Sequence, residues 1–269
     1  MRLNLDPRQH AMLEAMGVRL WQPPVTQAHD NTVPVARTAI TRVTSPSAPR
    51  PGQASPPASA PPRPIIEAAS AAGLGWSELQ ASVASCQACG LCQGRKQTVF
   101  GTGDKQARWL VVGEAPGEQE DLRGVPFVGE SGQLLDNMLK AVGLSRTGAG
   151  EQGVFITNAL KCRPPDNRNP QPDEVAQCAP YLQQQVALLQ PDIILALGRF
   201  AAQSLLHATL AEVASLPLGK LRGQVHQHQG IPVVVSYHPA YLLRSPQDKA
   251  KAWADLCLAM DVLRGVSAT

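Results

Sequence analysis

Four short, almost continuous apolar runs limit what this chain can fold into. They are Trp109-Leu110-Val111-Val112, Val154-Phe155-Ile156-Thr157, Ile193-Ile194-Leu195-Ala196-Leu197 and Val233-Val234-Val235. None shows the apolar–polar alternation of a half-exposed strand, so each must be covered on both faces. The segments between them carry helical signals. Leu134, Leu135, Met138, Leu139 and Val142 recur at helical spacing, and Pro172-Asp173-Glu174 opens a helix with acidic residues where they suit the dipole. Residues 199–207 and 246–263 read as two more helices. Alternation of this kind predicts a three-layer α/β/α fold around a central, mostly parallel, four-stranded sheet. No internal repeat is visible.

That fold class says where to look for chemistry. In an open parallel sheet, ligands bind outside the carboxyl ends of the strands. The segments expected there are 113–121, 158–168 and 238–244. They hold Glu114, Glu118, Glu120, Asn158, Lys161, Arg163 and His238.

The sheet-forming text occupies residues 71–269. Before it, residues 26–70 form a linker rich in Pro, Ala and Ser, whose composition cannot bury enough apolar surface to offset chain entropy, so disorder is expected. Residues 1–25 contain a short helical peptide with an apolar stripe of Met12, Leu13, Met16, Val18, Leu20 and Trp21. A helix this short is marginal alone, so it is a docking peptide or a frayed tail. Residues 13–21 resemble the N-terminal peptide of the psi subunit of bacterial clamp loaders, which implies a replication or repair protein as partner.

Charge adds little by itself. Residues 1–70 carry 7 Lys/Arg against 4 Asp/Glu, and the rest carries 17 of each, so the net charge of +3 sits in the N-terminal region. Any nucleic-acid contact by the folded part must come from clustering. No apolar run approaches the ~20 residues of a membrane span. The first residues have no apolar signal core, so a soluble, cytoplasmic protein is expected. A monomer is expected as well.

Six cysteines without an export signal read as metal ligands or core residues rather than disulfides. Cys86-x-x-Cys89 has the gap that suits two thiolates on one centre. Cys162 and Cys178 flank a Pro-rich loop and can complete a four-cysteine site. Spacing alone does not separate zinc from an iron–sulfur cluster. Cys92 reads as a spare thiol and Cys257 as a helix-core residue.

The loop Gly113-Glu114-Ala115-Pro116-Gly117 follows a strand, but lacks the lysine of a P-loop and the glycines of a dinucleotide fold. Its acids repel a pyrophosphate; they suit holding a water, stabilising a cation or capping a helix. His238 ends a strand just before Pro239, with Tyr241, Leu242, Leu243 and Arg244 beyond it. A histidine there is a structural hydrogen-bond partner, or a donor working on DNA beside residues able to enter a base stack. Phe127 is core packing or a stacking plate. Asn158 caps a turn or reads a base edge.

Taken together, several motifs resemble family 4 uracil-DNA glycosylases of the uracil-DNA glycosylase superfamily. They are Gly113-Glu114-Ala115-Pro116-Gly117-Glu118-x-Glu120-Asp121, Pro126-Phe127-Val128-Gly129, Ile156-Thr157-Asn158, Lys161-Cys162-Arg163-Pro164-Pro165 and His238-Pro239-Ala240-Tyr241-Leu242-Leu243-Arg244. The resemblance spans about residues 79–263. It implies the uracil-DNA glycosylase fold and a [4Fe–4S] cluster on Cys86, Cys89, Cys162 and Cys178. It also implies an enzyme that flips uracil out of DNA and hydrolyses its N-glycosidic bond, initiating base excision repair.

By that resemblance, His238 hydrogen-bonds the uracil oxygen that gains charge, Asn158 reads the base edge and Phe127 stacks on the ring. Backbone around Gly113, Glu114 and Ala115 shapes the pocket, and Glu114 or Glu120 holds the water or faces the sugar cation. Leu242, Leu243 or Arg244 fills the vacated stack or grips the backbone, and Arg163 and Lys161 touch phosphates. Two departures stand out. Ala115 occupies the position of an aspartate in better-known relatives. Residues 163–170 lack the histidine loop of relatives that trap uracil covalently, which argues for turnover. The competing reading is a non-catalytic cluster-bearing DNA-binding accessory tethered to the replication machinery.

Overall fold

A computed structural model describes residues 71–266. The expected docking peptide (1–25) and linker (26–70) lie outside the described residues. Among the described residues, six strands form one sheet: β1 (Thr102–Gly103), β2 (Trp109–Gly113), β3 (Val154–Asn158), β4 (Ile193–Leu197), β5 (Val225–His228) and β6 (Ile231–Ser236), in the order β1-β3-β2-β4-β6-β5. The pairs β2–β3, β2–β4 and β4–β6 are parallel. These four strands are the predicted ones.

The expected count of four is corrected to six by two antiparallel edges, β1 on β3 and β5 on β6. Neither edge leaves an apolar run to read. The first is two residues long, and the second reads Val-His-Gln-His with three of its four residues at least partly exposed.

Strand periodicity divides the core in two. Leu110, Val112, Phe155, Ile194, Ala196, Val233 and Val235 face one side of the sheet. There they pack on α1 (Trp76–Ser85), α4 (Pro172–Leu189) and α5 (Arg199–Leu206) through Leu79, Val83, Leu182, Val186, Ala202 and Leu205. Trp109, Val111, Val154, Ile156, Ile193, Leu195 and Val234 face the other. These meet α3 (Glu130–Ala141) and α8 (Lys249–Val266) through Leu135, Met138, Leu139, Trp253 and Leu256. With both faces covered, the three layers are complete. Truncating a fully buried strand residue such as Leu195 to Ala costs about 3 kcal/mol.

Topology then makes the crevice. From β2 the chain passes through α2 (Glu118–Arg123) and α3 to β3, on one side of β2. From β3 it crosses through α4 to β4, on the other side. Such a reversal opens a gap above the carboxyl end of the strand between. The loops after β2, β3 and β6 border it; α6 (Leu218–Leu221) precedes β5, and the loop after β6 leads into α7 (Pro239–Arg244).

Candidate active site and cysteine centre

Gly113 and Asn158 are register partners at the ends of β2 and β3, so their loops leave the sheet at one level. Backbone pairing continues beyond them, with Ala159 N–H on Gly113 O at 2.9 Å and Leu160 N–H on Glu114 O at 3.0 Å. An open cavity of about 660 Å3 lies above, lined by Glu114, Ala115, Glu120, Phe127, Asn158, Tyr237, His238 and Arg244 among others. Residues expected from three separate loops therefore meet in one place.

Two of them close over Gly113, and a third stacks on one of these. A Cβ there would fall 2.3 Å from Asn158 Oδ1 and 2.5 Å from Phe127 Cζ, so only glycine lets the carboxamide and the ring close over the strand end. Asn158 and Phe127 are buried at 2% and 4% exposure. The Phe127 ring stacks on the His238 imidazole, centroids 5.4 Å apart and planes 28° apart.

His238 caps α7. Its Nδ1 accepts from Ala240 N–H at 3.2 Å. A backbone N–H only donates, so Nδ1 carries no proton and the neutral ring bears it on Nε2. Burial pushes the imidazole down to about 4, with Glu120 opposing the shift and Arg244 adding to it. The ring is thus a neutral donor at ordinary pH.

The two glutamates divide their work. Glu120 Oε2 accepts from Gly117 N–H at 3.1 Å, while Oε1 accepts from Val128 at 2.9 Å and Gly129 at 3.4 Å. This carboxylate is occupied in holding the Phe127 turn. Glu114 Oε1 accepts from Phe200 N–H at 3.1 Å, at the start of α5. Burial raises its carboxyl above the usual range, against the hydrogen bonds and charge of that helix start.

Two expectations about DNA contacts are corrected. Lys161 cannot reach a phosphate, being 1% exposed. Its ammonium donates to Thr157 Oγ1 at 2.7 Å, Asn158 O at 2.6 Å and Gln185 Oε1 at 2.7 Å. Leu242 is fully buried against α3 and α8 and cannot enter a base stack. Leu243, 41% exposed, and Arg244 remain outside it. Arg163 is partly exposed and donates to Asn167 Oδ1 at 2.8 Å.

Sequence reading missed Arg168 and Arg199, which also line the cavity. Arg199 follows Gly198 at the carboxyl end of β4, so the rule that found the other loops would have found it.

The cysteines gather beside the pocket. Cys86 ends α1, Cys89 precedes a short 3-10 turn, Cys162 follows β3 and Cys178 lies on α4. All four line a second, small cavity, together with Cys92, Arg95 and Lys161. Cys92 is therefore less remote than a spare thiol, whereas Cys257 packs against the second core as expected. Arg95 Nη1 donates to Cys162 Sγ at 3.1 Å and Lys161 N–H to Cys178 Sγ at 3.3 Å. Burial pushes the Cys178 thiol up to about 12 and raises Cys89 and Cys162. Among the described residues, no three His, Cys, Asp or Glu side chains converge closely enough to hold a single ion. The thiols surround a space instead.

Fold and site define a class: three-layer α/β/α proteins with a ligand crevice at the carboxyl end of a parallel sheet and a cysteine centre beside it. The uracil DNA glycosylase superfamily model matches residues 100–257. The chain belongs to this superfamily. It is 41% identical over 169 residues to the type-4 uracil-DNA glycosylase of Archaeoglobus fulgidus, covering 61% of this chain and 81% of that one. The corresponding figures for the type-4 enzyme of Saccharolobus solfataricus are 42% over 169 residues, 61% and 75%. For that of Pyrobaculum aerophilum they are 40% over 185 residues, 67% and 91%.

Proposed function

We propose that the chain is a uracil-DNA glycosylase, which extrudes uracil from DNA and hydrolyses its N-glycosidic bond to initiate base excision repair. The observation that carries this is one cavity lined by Asn158 and Phe127, which close over Gly113, and by a neutral His238 stacked on the Phe127 ring. Uracil departs as an anion while the sugar becomes cationic, so both charges need fixed partners. His238 Nε2–H donates to the carbonyl oxygen that gains charge, worth about 3 kcal/mol for a preorganised donor. The Asn158 carboxamide pairs with the base edge and Phe127 stacks on the ring. Ala115 and the Gly113 backbone shape the wall.

Glu114 holds the attacking water or faces the cation, because Glu120 has both oxygens engaged by backbone N–H groups. Leu243 fills the vacated stack, and Arg244 and Arg163 serve the backbone. An accessory DNA-binding module has no need of such a pocket.

The cysteine set fits an iron–sulfur group. Thiols from two distant segments ring an apolar space with two cations beside it, and buried thiols lose their protons most readily to a metal. Cys86, Cys89, Cys162 and Cys178 would hold a [4Fe–4S] cluster, which when bound supplies a cross-link between those segments. Residues 1–25 we assign to docking a replication or repair protein, on the apolar residues among positions 12–21 and the resemblance of 13–21 to a clamp-loader peptide. The protein acts as a cytoplasmic monomer on uracil-containing DNA.

The test is incubation of the purified chain with a uracil-containing oligonucleotide, then alkali. Cleavage at uracil that His238→Ala slows by about 10²-fold is expected; intact strands from a folded, metal-loaded protein would overturn the reading. For the centre, broad absorbance near ~400 nm is expected, lost in Cys178→Ser and kept in Cys92→Ser. A colourless protein carrying zinc contradicts it.

A further inference from the structure

The turn that carries Phe127 is gripped from outside by a residue that does not line the cavity. Phe127 has φ of 54°, a left-handed backbone that a bulky residue keeps only where its surroundings hold it. On one side Glu120 takes the N–H groups of Val128 and Gly129. On the other, Arg146 takes the carbonyls: Nη1 donates to Pro126 O at 3.1 Å and Nη2 to Phe127 O at 3.0 Å. Its Nε donates to Asp136 Oδ1 at 2.6 Å, which orients the fork toward the turn. Gly132 closes the cradle, since a Cβ there would fall 1.8 Å from Phe127 O. A donor of one charge and an acceptor of the other bracket a single strained turn. A planar guanidinium suits two adjacent carbonyls in a way an ammonium does not.

We infer that Arg146, held by Asp136, is a positioning residue of the base pocket. It keeps the Phe127 backbone left-handed, so that the ring lies against His238 as one wall of the slot. Released from this grip, Phe127 relaxes toward ordinary backbone angles and its ring leaves the slot. The inference rests on Phe127 being the plate against which uracil stacks.

The test uses the full chain with Arg146→Ala, Arg146→Lys, Asp136→Asn and Phe127→Ala. Three readouts are needed: inhibition by free uracil, the single-turnover excision rate, and the Kd for uracil-free DNA. Arg146→Ala should weaken uracil inhibition and slow excision, each by about tenfold, as a misplaced contact does. Its Kd for uracil-free DNA should stay within about twofold, since no phosphate contact is removed. Arg146→Lys should recover only part of the loss. Asp136→Asn, changed at a half-exposed side chain, tests the same clamp in a folded protein and should move uracil inhibition in the same direction.

If Phe127→Ala weakens uracil inhibition while Arg146→Ala and Asp136→Asn leave it unchanged, the clamp is wrong and the pocket reading stands. If Phe127→Ala is silent too, the stacking role itself fails. Weaker binding of uracil-free DNA by Arg146→Ala, with a shallower salt dependence, would make Arg146 a backbone contact and end the inference.

Discussion

The carboxamide of Asn158 occupies the space that a side chain on Gly113 would need, its Oδ1 lying 2.3 Å from where a Cβ would stand. The two residues are register partners across parallel strands, so neither can retreat without disturbing the sheet. Gly113→Ala should therefore displace the amide and the Phe127 ring by up to an ångström while leaving both cores intact. A displacement of that size slows excision by about 10²-fold. Single-turnover rates read against the thermal midpoint check this, and an unchanged rate would mean the reaction uses neither side chain.

His238 sets a second expectation. Its folded value is about 4 against an ordinary 6.5. Above pH 6.5 both folded and unfolded chains hold it neutral, and its contribution to stability is fully present. As pH falls toward 4, the unfolded chain takes a proton that the folded ring refuses, so stability is lost across that window. His238 should give excision no inflection between pH 6 and 8. His238→Ala should have a shallower loss of urea midpoint between pH 6.5 and 4 than the parent chain.

The glutamates can be told apart. Glu114→Gln keeps an acceptor for Phe200 N–H but loses its charge, so excision should fall by about 10²-fold or more with DNA affinity unchanged. Because burial raises the Glu114 carboxyl, the acid limb of the excision rate should begin above the ordinary carboxylate range and vanish in this variant. Glu120→Gln turns an amide NH2 toward backbone N–H donors. It should lose about 1–3 kcal/mol of stability, read as a lower urea midpoint, and should leave the acid limb of the rate in place, acting on excision only through the Phe127 turn.

How far the sequence reached follows from what kind of signal each feature leaves. The parallel centre was legible because a doubly covered strand must be apolar throughout, as Ile193–Leu197 is. Asn158 and His238 were legible through strand-end position, a property of chain order, and Phe127 through its place in a glycine-flanked turn that the family motif shares. The short edges β1 and β5 leave no such run. Whether a charged side chain turns inward was not legible: Lys161 sits in a loop beside Arg163, where exposure is the ordinary outcome for lysine. Arg146 lies 19 residues from the turn it holds, and only the packing of α3 brings the two together.

Lys161 supplies the last prediction, and it runs against the phosphate role expected from sequence. The buried ammonium, pushed down to about 8 by desolvation, is the shared donor for Thr157 Oγ1, Asn158 O and Gln185 Oε1. Lys161→Met fills similar space but leaves the Asn158 carbonyl and Gln185 amide oxygen without that donor. Relief of the buried charge offsets part of the loss, and a net cost of about 2 kcal/mol is expected in the urea midpoint. DNA affinity should keep its full salt dependence, because no phosphate contact disappears. Arg244→Gln, at the exposed rim, should do the reverse. Its plot of log Kd against log salt should flatten by about one unit, with stability within about 0.5 kcal/mol. If Lys161→Met flattened that plot, the inward strut would be wrong and the loop would have to open onto DNA.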